Sequence, residues 1–184
     1  MKNLILFLAL GCYSTTYSQS ENAFYGDVQG GAGTTVQGEG LFHGTAGFNA
    51  VLKKHFYLRL GADLALGGSF KNPNAVIGYR QYNLRVGINR GISESFSVRP
   101  YAGFGYQTLI RTTSVNNATV DGLGALGVDV EPRYESESVN FIVVPIGMDF
   151  HIHKKNVGFV AGIYLNASQY TEFGIRLGLT FGKL

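Results

Sequence analysis

The sequence predicts an all-β protein, an eight-stranded antiparallel up-and-down transmembrane β-barrel. Three observations carry that prediction. Apolar residues recur with a period of two in segments long enough to cross a bilayer, the phase between them lacks Lys and Glu, and a cationic then apolar leader precedes the first segment. From Phe56 to Leu66 the apolar phase reads Phe56, Leu58, Leu60, Ala62, Leu64, Leu66, with Tyr57, Arg59, Gly61, Asp63 and Ala65 between. Successive strand side chains point to opposite faces, so this segment has one apolar face and one small or polar face.

The leader comes first in the chain. Met1-Lys2-Asn3 precedes an apolar run from Leu4 to Leu10, followed by small and polar residues. This reads as a secretory signal, too short to span as a helix. Thr16-Tyr17-Ser18 before Gln19 puts small residues at both cleavage-determining positions, which divides the chain into a signal peptide over 1–18 and a barrel domain over 19–184. Cys12 suggests a lipoprotein alternative, but Leu10 stands where a small residue is wanted. A chain starting at Gln19 has no cysteine, which excludes disulfides, thiol chemistry and a Cys/His metal site. The formal charge of +3 falls to +2 without Lys2, and no cluster of Lys and Arg marks a nucleic-acid partner.

Eight segments then carry the two-residue period: Ala23–Gly33, Leu41–Leu52, Phe56–Gly68, Tyr79–Arg90, Phe96–Ile110, Ser138–Ile152, Val157–Ala167 and Thr171–Gly182. Most exceed the usual globular strand, and a tilted membrane strand needs about nine to eleven residues. Tight, charged connections (Lys53-Lys54-His55, Gly91–Ser95, His153–Asn156) alternate with Thr34–Gly40, Ser69–Gly78, the long Arg111–Glu137 and a short one around Ser168–Tyr170. Short periplasmic turns alternating with longer outer loops are a property of transmembrane barrels, and place both termini in the periplasm.

Alternation also fits a soluble lipocalin-type barrel with its apolar face inside, so the polar phase decides. A water-facing surface is rich in Lys and Glu. Here that phase holds Asp27, Gln29, His43, Thr45, Asn49, Arg59, Asp63, Gln81, Asn83, Arg85, Arg99, Gln107, Asp149, His151, Arg176 and Thr180, with glycine through much of the rest. Neither Lys nor Glu is read into it. That is the composition of a cramped lumen, where glycine makes room and Arg pairs with Asp. The opposite phase, with Leu84, Val86, Ile88, Ile142, Ile163, Ile175 and Leu177, suits lipid. Pro145, in the luminal phase, lacks a ladder donor and reads as a bulge.

The last strand, Arg176-Leu177-Gly178-Leu179-Thr180-Phe181-Gly182-Lys183-Leu184, resembles the C-terminal signal that the barrel-assembly machinery recognises. Arg176, Gly178 and Phe181 match the polar, glycine and first aromatic positions, while Lys183 stands at the final aromatic position. With the leader, strand count and loop pattern, the chain resembles the small outer-membrane β-barrels of OmpA/OmpX type. The resemblance implies outer-membrane lipid and the assembly machinery as partners. It leaves function open among adhesion, anchoring, envelope-complex subunits and lipid modification.

Candidate chemistry is sparse. Arg59, Arg85, Arg99 and Arg176 share the interior with Asp27, Asp63 and Asp149; these seven read as a packed polar network plugging the barrel rather than an ion path. His151 and His153 share a strand face, with His55 at the same rim, but no acidic or thiol partner adjoins them for a metal. A lipid-modifying site would need a histidine, serine and carboxylate together. His43, with Glu39 before it and Ser69 at a neighbouring rim, approximates one, but Thr45 follows where serine is wanted, and His43 faces the lumen. Gly30-Gly31-Ala32-Gly33 has no helix after it, which makes it strand glycine rather than a phosphate loop. Asn117-Ala118-Thr119 is a glycosylation sequon with no expected meaning in a bacterial envelope. The connection Arg111–Glu137, apolar at Val120, Leu123, Leu126, Val128 and Val130 and acidic at Glu131, Glu135 and Glu137, is the best candidate for contact with a partner. The expected function is non-enzymatic: a structural protein or accessory subunit of a larger outer-membrane complex, acting through outer loops or lipid-facing wall without a cofactor. A lipid-modifying enzyme and a narrow pore are the alternatives.

Overall fold

The computed structural model describes residues 22–53, 55–69, 75–115, 133–154 and 156–183. The leader read over 1–18, Cys12, the sequon, Leu184 and residues 116–132 of the long connection lie outside the described residues. Eight long strands build the molecule: β1 (Asn22–Thr35), β2 (Glu39–Leu52), β3 (Phe56–Ser69), β4 (Ala75–Ile88), β5 (Phe96–Val115), β6 (Arg133–Lys154), β7 (Val157–Ala167) and β8 (Glu172–Lys183). Beyond β4, Arg90–Gly91 resumes pairing with the start of β5. Each strand pairs antiparallel with its chain neighbour, and β8 pairs back onto β1, so the sheet closes on itself.

The registers fix the geometry of closure. Cα partners lead from Ala23 through Val51, Tyr57, Gly87, Tyr101, Gly147, Tyr164 and Gly174 to Gly33, ten residues further along β1. Eight strands with a stagger of ten, spaced and rising as strands do, tilt by about 40° and enclose an interior that side chains fill.

Outward residues form an apolar band. Leu60, Leu64, Leu66 and Phe42 are 57, 66, 69 and 75% exposed, far more contiguous apolar surface than a water-soluble monomer presents. Phe24, Phe56, Phe96, Phe159 and Phe181 are each the first or second outward residue at one end of their strand. Phe42, Tyr82, Tyr106 and Phe173 form a second aromatic level towards the opposite end. Two aromatic girdles bounding an apolar band are the wall of a transmembrane barrel. The inward phase is buried and polar, so the faces lie as the alternation predicts.

Three expectations need correction. The alternation of short and long connections is weak, because strands run further than the segments read from sequence. Val36–Gly38 is a three-residue turn, closed by Gly38 N–H donating to Thr35 O at 3.0 Å and by the positive φ of Gly38, 84°. The long connection is likewise shorter than Arg111–Glu137: β5 continues to Val115 and β6 begins at Arg133, with Arg111 opposite Glu137 in the ladder. Pro145 marks no bulge, since the register before it (Gly105 with Val143) and after it (Ala102 with Ile146) is the same. The end of the barrel bearing Lys53–His55, Ser93–Ser95 and both outer strand termini is its turn end, and the other is its loop end.

Candidate functional site in the lumen

Alternation puts all seven candidate network residues inside, and six of them form three ion pairs. Asp27 on β1 receives Arg59 from β3 at two points, Nε to Oδ2 at 2.9 Å and Nη2 to Oδ1 at 2.8 Å. Gln29 and Asn49 donate to the same carboxylate, and Thr45 Oγ1 accepts from Arg59 Nη2 at 2.8 Å. Arg85 binds Asp63 at 3.0 Å, and Asn83 adds a donor at 2.7 Å. Arg176 binds Asp149 at 2.7 Å and the Tyr101 hydroxyl at 2.6 Å. The Arg85 and Arg176 guanidinium groups lie over the Tyr101 ring, 5.3 and 5.2 Å from its centroid. Arg99 lacks a carboxylate partner among the described residues. Its Nε donates to Asn89 Oδ1 at 2.6 Å, its Nη1 meets Tyr25 and His151, and its charge lies over the Tyr25 and Tyr57 rings.

The luminal phase does hold glutamate, contrary to the sequence reading. Glu39 and Glu172 open β2 and β8, in phase with His43 and Arg176, and both are buried. Glu172 accepts from Tyr79 at 2.8 Å and from Tyr164, whose hydroxyl lies 2.7 Å from His43 Nε2. Glu39 accepts from Arg111 Nη2 at 2.6 Å and from Thr35, and Arg111 in turn stacks on Tyr170. Among the described residues these two glutamates bring the interior acids to five, Asp27, Asp63, Asp149, Glu39 and Glu172, beside five arginines, Arg59, Arg85, Arg99, Arg111 and Arg176. Their signal was available, since Glu172 falls inside the eighth segment in the luminal phase. Apolar clusters close the network at both ends. Ala23, Tyr25, Val51, Tyr57 and Tyr101 lie toward the turn end; Leu41, Ala65, Ile77, Tyr79 and Leu109, with Phe141 and Tyr170 packed on them, lie toward the loop end.

The other candidates are not brought together as catalytic groups. His43 contacts Tyr164, whereas Glu39 contacts Arg111 and Thr35, and Ser69 is the ladder partner of Glu39. His151 packs edge-on against Tyr25 and bonds Arg99, while His55 is exposed. Among the described residues no group of three or more His, Cys, Asp and Glu is placed to hold a metal. Of the terminal motif, Arg176 and Gly178 point inward, and Phe181 joins the turn-end girdle.

The remaining feature is a projecting sheet. β6 pairs with β5 as far as Arg133, opposite Val115, but its pairing with β7 stops at Val144. Among the described residues no strand covers the other edge of Arg133–Val143. Glu135, Ser136, Glu137 and Ser138 are exposed on both faces of that stretch, as suits a sheet that has left lipid for water.

Solved structures share this fold at low sequence identity. A major outer membrane protein from Thermus thermophilus aligns with a TM-score of 0.61 and 14% identity, over 86% of this chain and 99% of that one. Ail, the attachment invasion locus protein of Yersinia pestis, aligns with a TM-score of 0.54 and 11% identity, over 91% of this chain and all of that one. Neisserial surface protein A aligns with a TM-score of 0.54 and 12% identity, over 90% and 99%. No family model and no curated protein matches the sequence. The fold is that of the small outer-membrane β-barrels.

Proposed function

We propose, from the premise that this chain has the fold of the small outer-membrane β-barrels, that it is a non-enzymatic outer-membrane protein. It serves as an accessory subunit that holds a partner protein on the open edge of β6. The observation carrying this reading is the edge Arg133–Val143, which no strand covers among the described residues. An unpaired edge offers a row of N–H and C=O groups to which an incoming strand adds by main-chain bonding. Polar residues on both faces keep the projecting sheet in water. The turn end, where β1 begins and β8 ends, faces the periplasm, and the projecting sheet faces outward. The filled lumen supports a binding role over a pore, and the inward direction of His43 speaks against lipid chemistry.

Two excisions test this. Joining Ile110 to Ser138 through Asn-Gly removes 111–137, and with them the outer half of the open edge, in register, because those residues are Cα partners. Joining Val115 to Arg133 the same way removes 116–132 and keeps the edge. Proteins co-purifying from detergent-solubilised outer membranes, counted by quantitative mass spectrometry, are expected to survive the second excision and disappear with the first. Loss with both places the contact in 116–132, and survival of both moves it to the lipid-facing wall or the turns.

A further inference from the structure

Arg80 is the exception on the lipid-facing wall. It lies on β4 in the outward phase with Val76, Tyr82, Leu84 and Val86, and is exposed. Its Cα partners are Leu64 and Thr108; the next outward pair towards the turn end is Tyr82 with Tyr106, at the loop-end aromatic level. Among the described residues it forms no ion pair and stacks on no ring. Directly below it the outer wall is grooved. Ala46, Ala62, Tyr82 and Tyr106 are consecutive partners across β2 to β5, so two small residues stand beside two large ones. With Leu84 and Phe104 they line an apolar groove of about 500 Å³.

We propose that this is a lipid site: Arg80, flanked by Tyr82 and Tyr106, binds the phosphate of a lipid A-type glycolipid, and one acyl chain lies in the groove. A guanidinium facing lipid is tolerated near the interface when an anion meets it, and its planar fork matches phosphate oxygens. Tyrosine supplies a polar tip at headgroup depth on an apolar body. A cation at the headgroup level with an apolar groove below reproduces the order of a phosphorylated lipid, head above tail. The choice of glycolipid rests on the outward orientation of the loop end proposed above, because the outer leaflet is where phosphorylated glycolipid resides.

Native mass spectrometry of the detergent-purified barrel with added diphosphoryl lipid A tests the site. One bound lipid A is expected to survive gas-phase activation, with retention roughly tenfold lower for Arg80→Leu, partly kept by Arg80→Lys, and reduced by Ala62→Phe, which fills the groove. Lys154→Leu, at the turn end, leaves retention unchanged. Retention unaffected by Arg80→Leu or by Ala62→Phe, or equal for dephosphorylated lipid A, overturns the assignment. Orientation is read separately from Glu135→Cys, with Cys12 replaced by Ser, using an impermeant maleimide on whole cells. Labelling supports the outer leaflet. A protected cysteine beside intact binding in vitro overturns both the orientation and the glycolipid as the natural occupant.

Discussion

Arg59 and Arg85 stand directly opposite each other in the ladder between β3 and β4, an arrangement that like charge disfavours. The interior resolves it by turning each to a different acid, Arg59 to Asp27 and Arg85 to Asp63. Glycine makes this possible: a Cβ at Gly47 would stand 2.6 Å from the Arg59 Cζ, and one at Gly61 would overlap Arg59 Nη1. Asp27→Ala therefore leaves a buried cation uncompensated and is expected to cost about 3–5 kcal/mol, read from the urea midpoint of the refolded barrel. Adding Arg59→Leu to that variant should recover most of the loss, because the penalty belongs to the orphaned charge. No recovery would mean that Asp27 acts through Gln29 and Asn49 instead. Gly47→Leu should destabilise in the same direction as Asp27→Ala by unseating Arg59, and its cost should shrink in the Arg59→Leu background.

At the scale of the strand, the same substitution has a cost set by its depth. Leu60 lies mid-band on β3, and Ile110 lies on β5 beyond the loop-end girdle, one ladder step past Thr108. Leu60→Arg is expected to cost roughly 2–4 kcal/mol, and Ile110→Arg about 0–1 kcal/mol. Heat-modifiable gel mobility and refolding yield in vesicles compare the two; equal costs would misplace the band. The strands were legible because their period is local: Phe56 to Leu66 reads correctly with no knowledge of its neighbours. Their ends were not. Arg111–Thr113 and Glu135–Glu137 are polar at every position, so no apolar phase marks them as strand, and only their mutual pairing shows it.

For the whole molecule, the described residues fill the lumen with an apolar cluster toward each end and a buried network of paired charges between them. Planar bilayers containing the barrel are expected to show no stable conductance steps. Reproducible steps that grow on Arg59→Ala would overturn this. The sequence by itself determined the strand count, the direction of the faces and most of the lumen's composition, Glu39 and Glu172 excepted. These follow from a period of two and from what lipid excludes, both of which act residue by residue. The tertiary structure alone decided which charge meets which. Asp149 is the Cα partner of Arg99 yet binds Arg176, and Glu39 enters the interior from a strand end that sequence reading left in a connection. A stagger of ten residues carries each strand up the barrel relative to the next, so contacts across the lumen depend on closure of the whole ring. No local pattern encodes that sum.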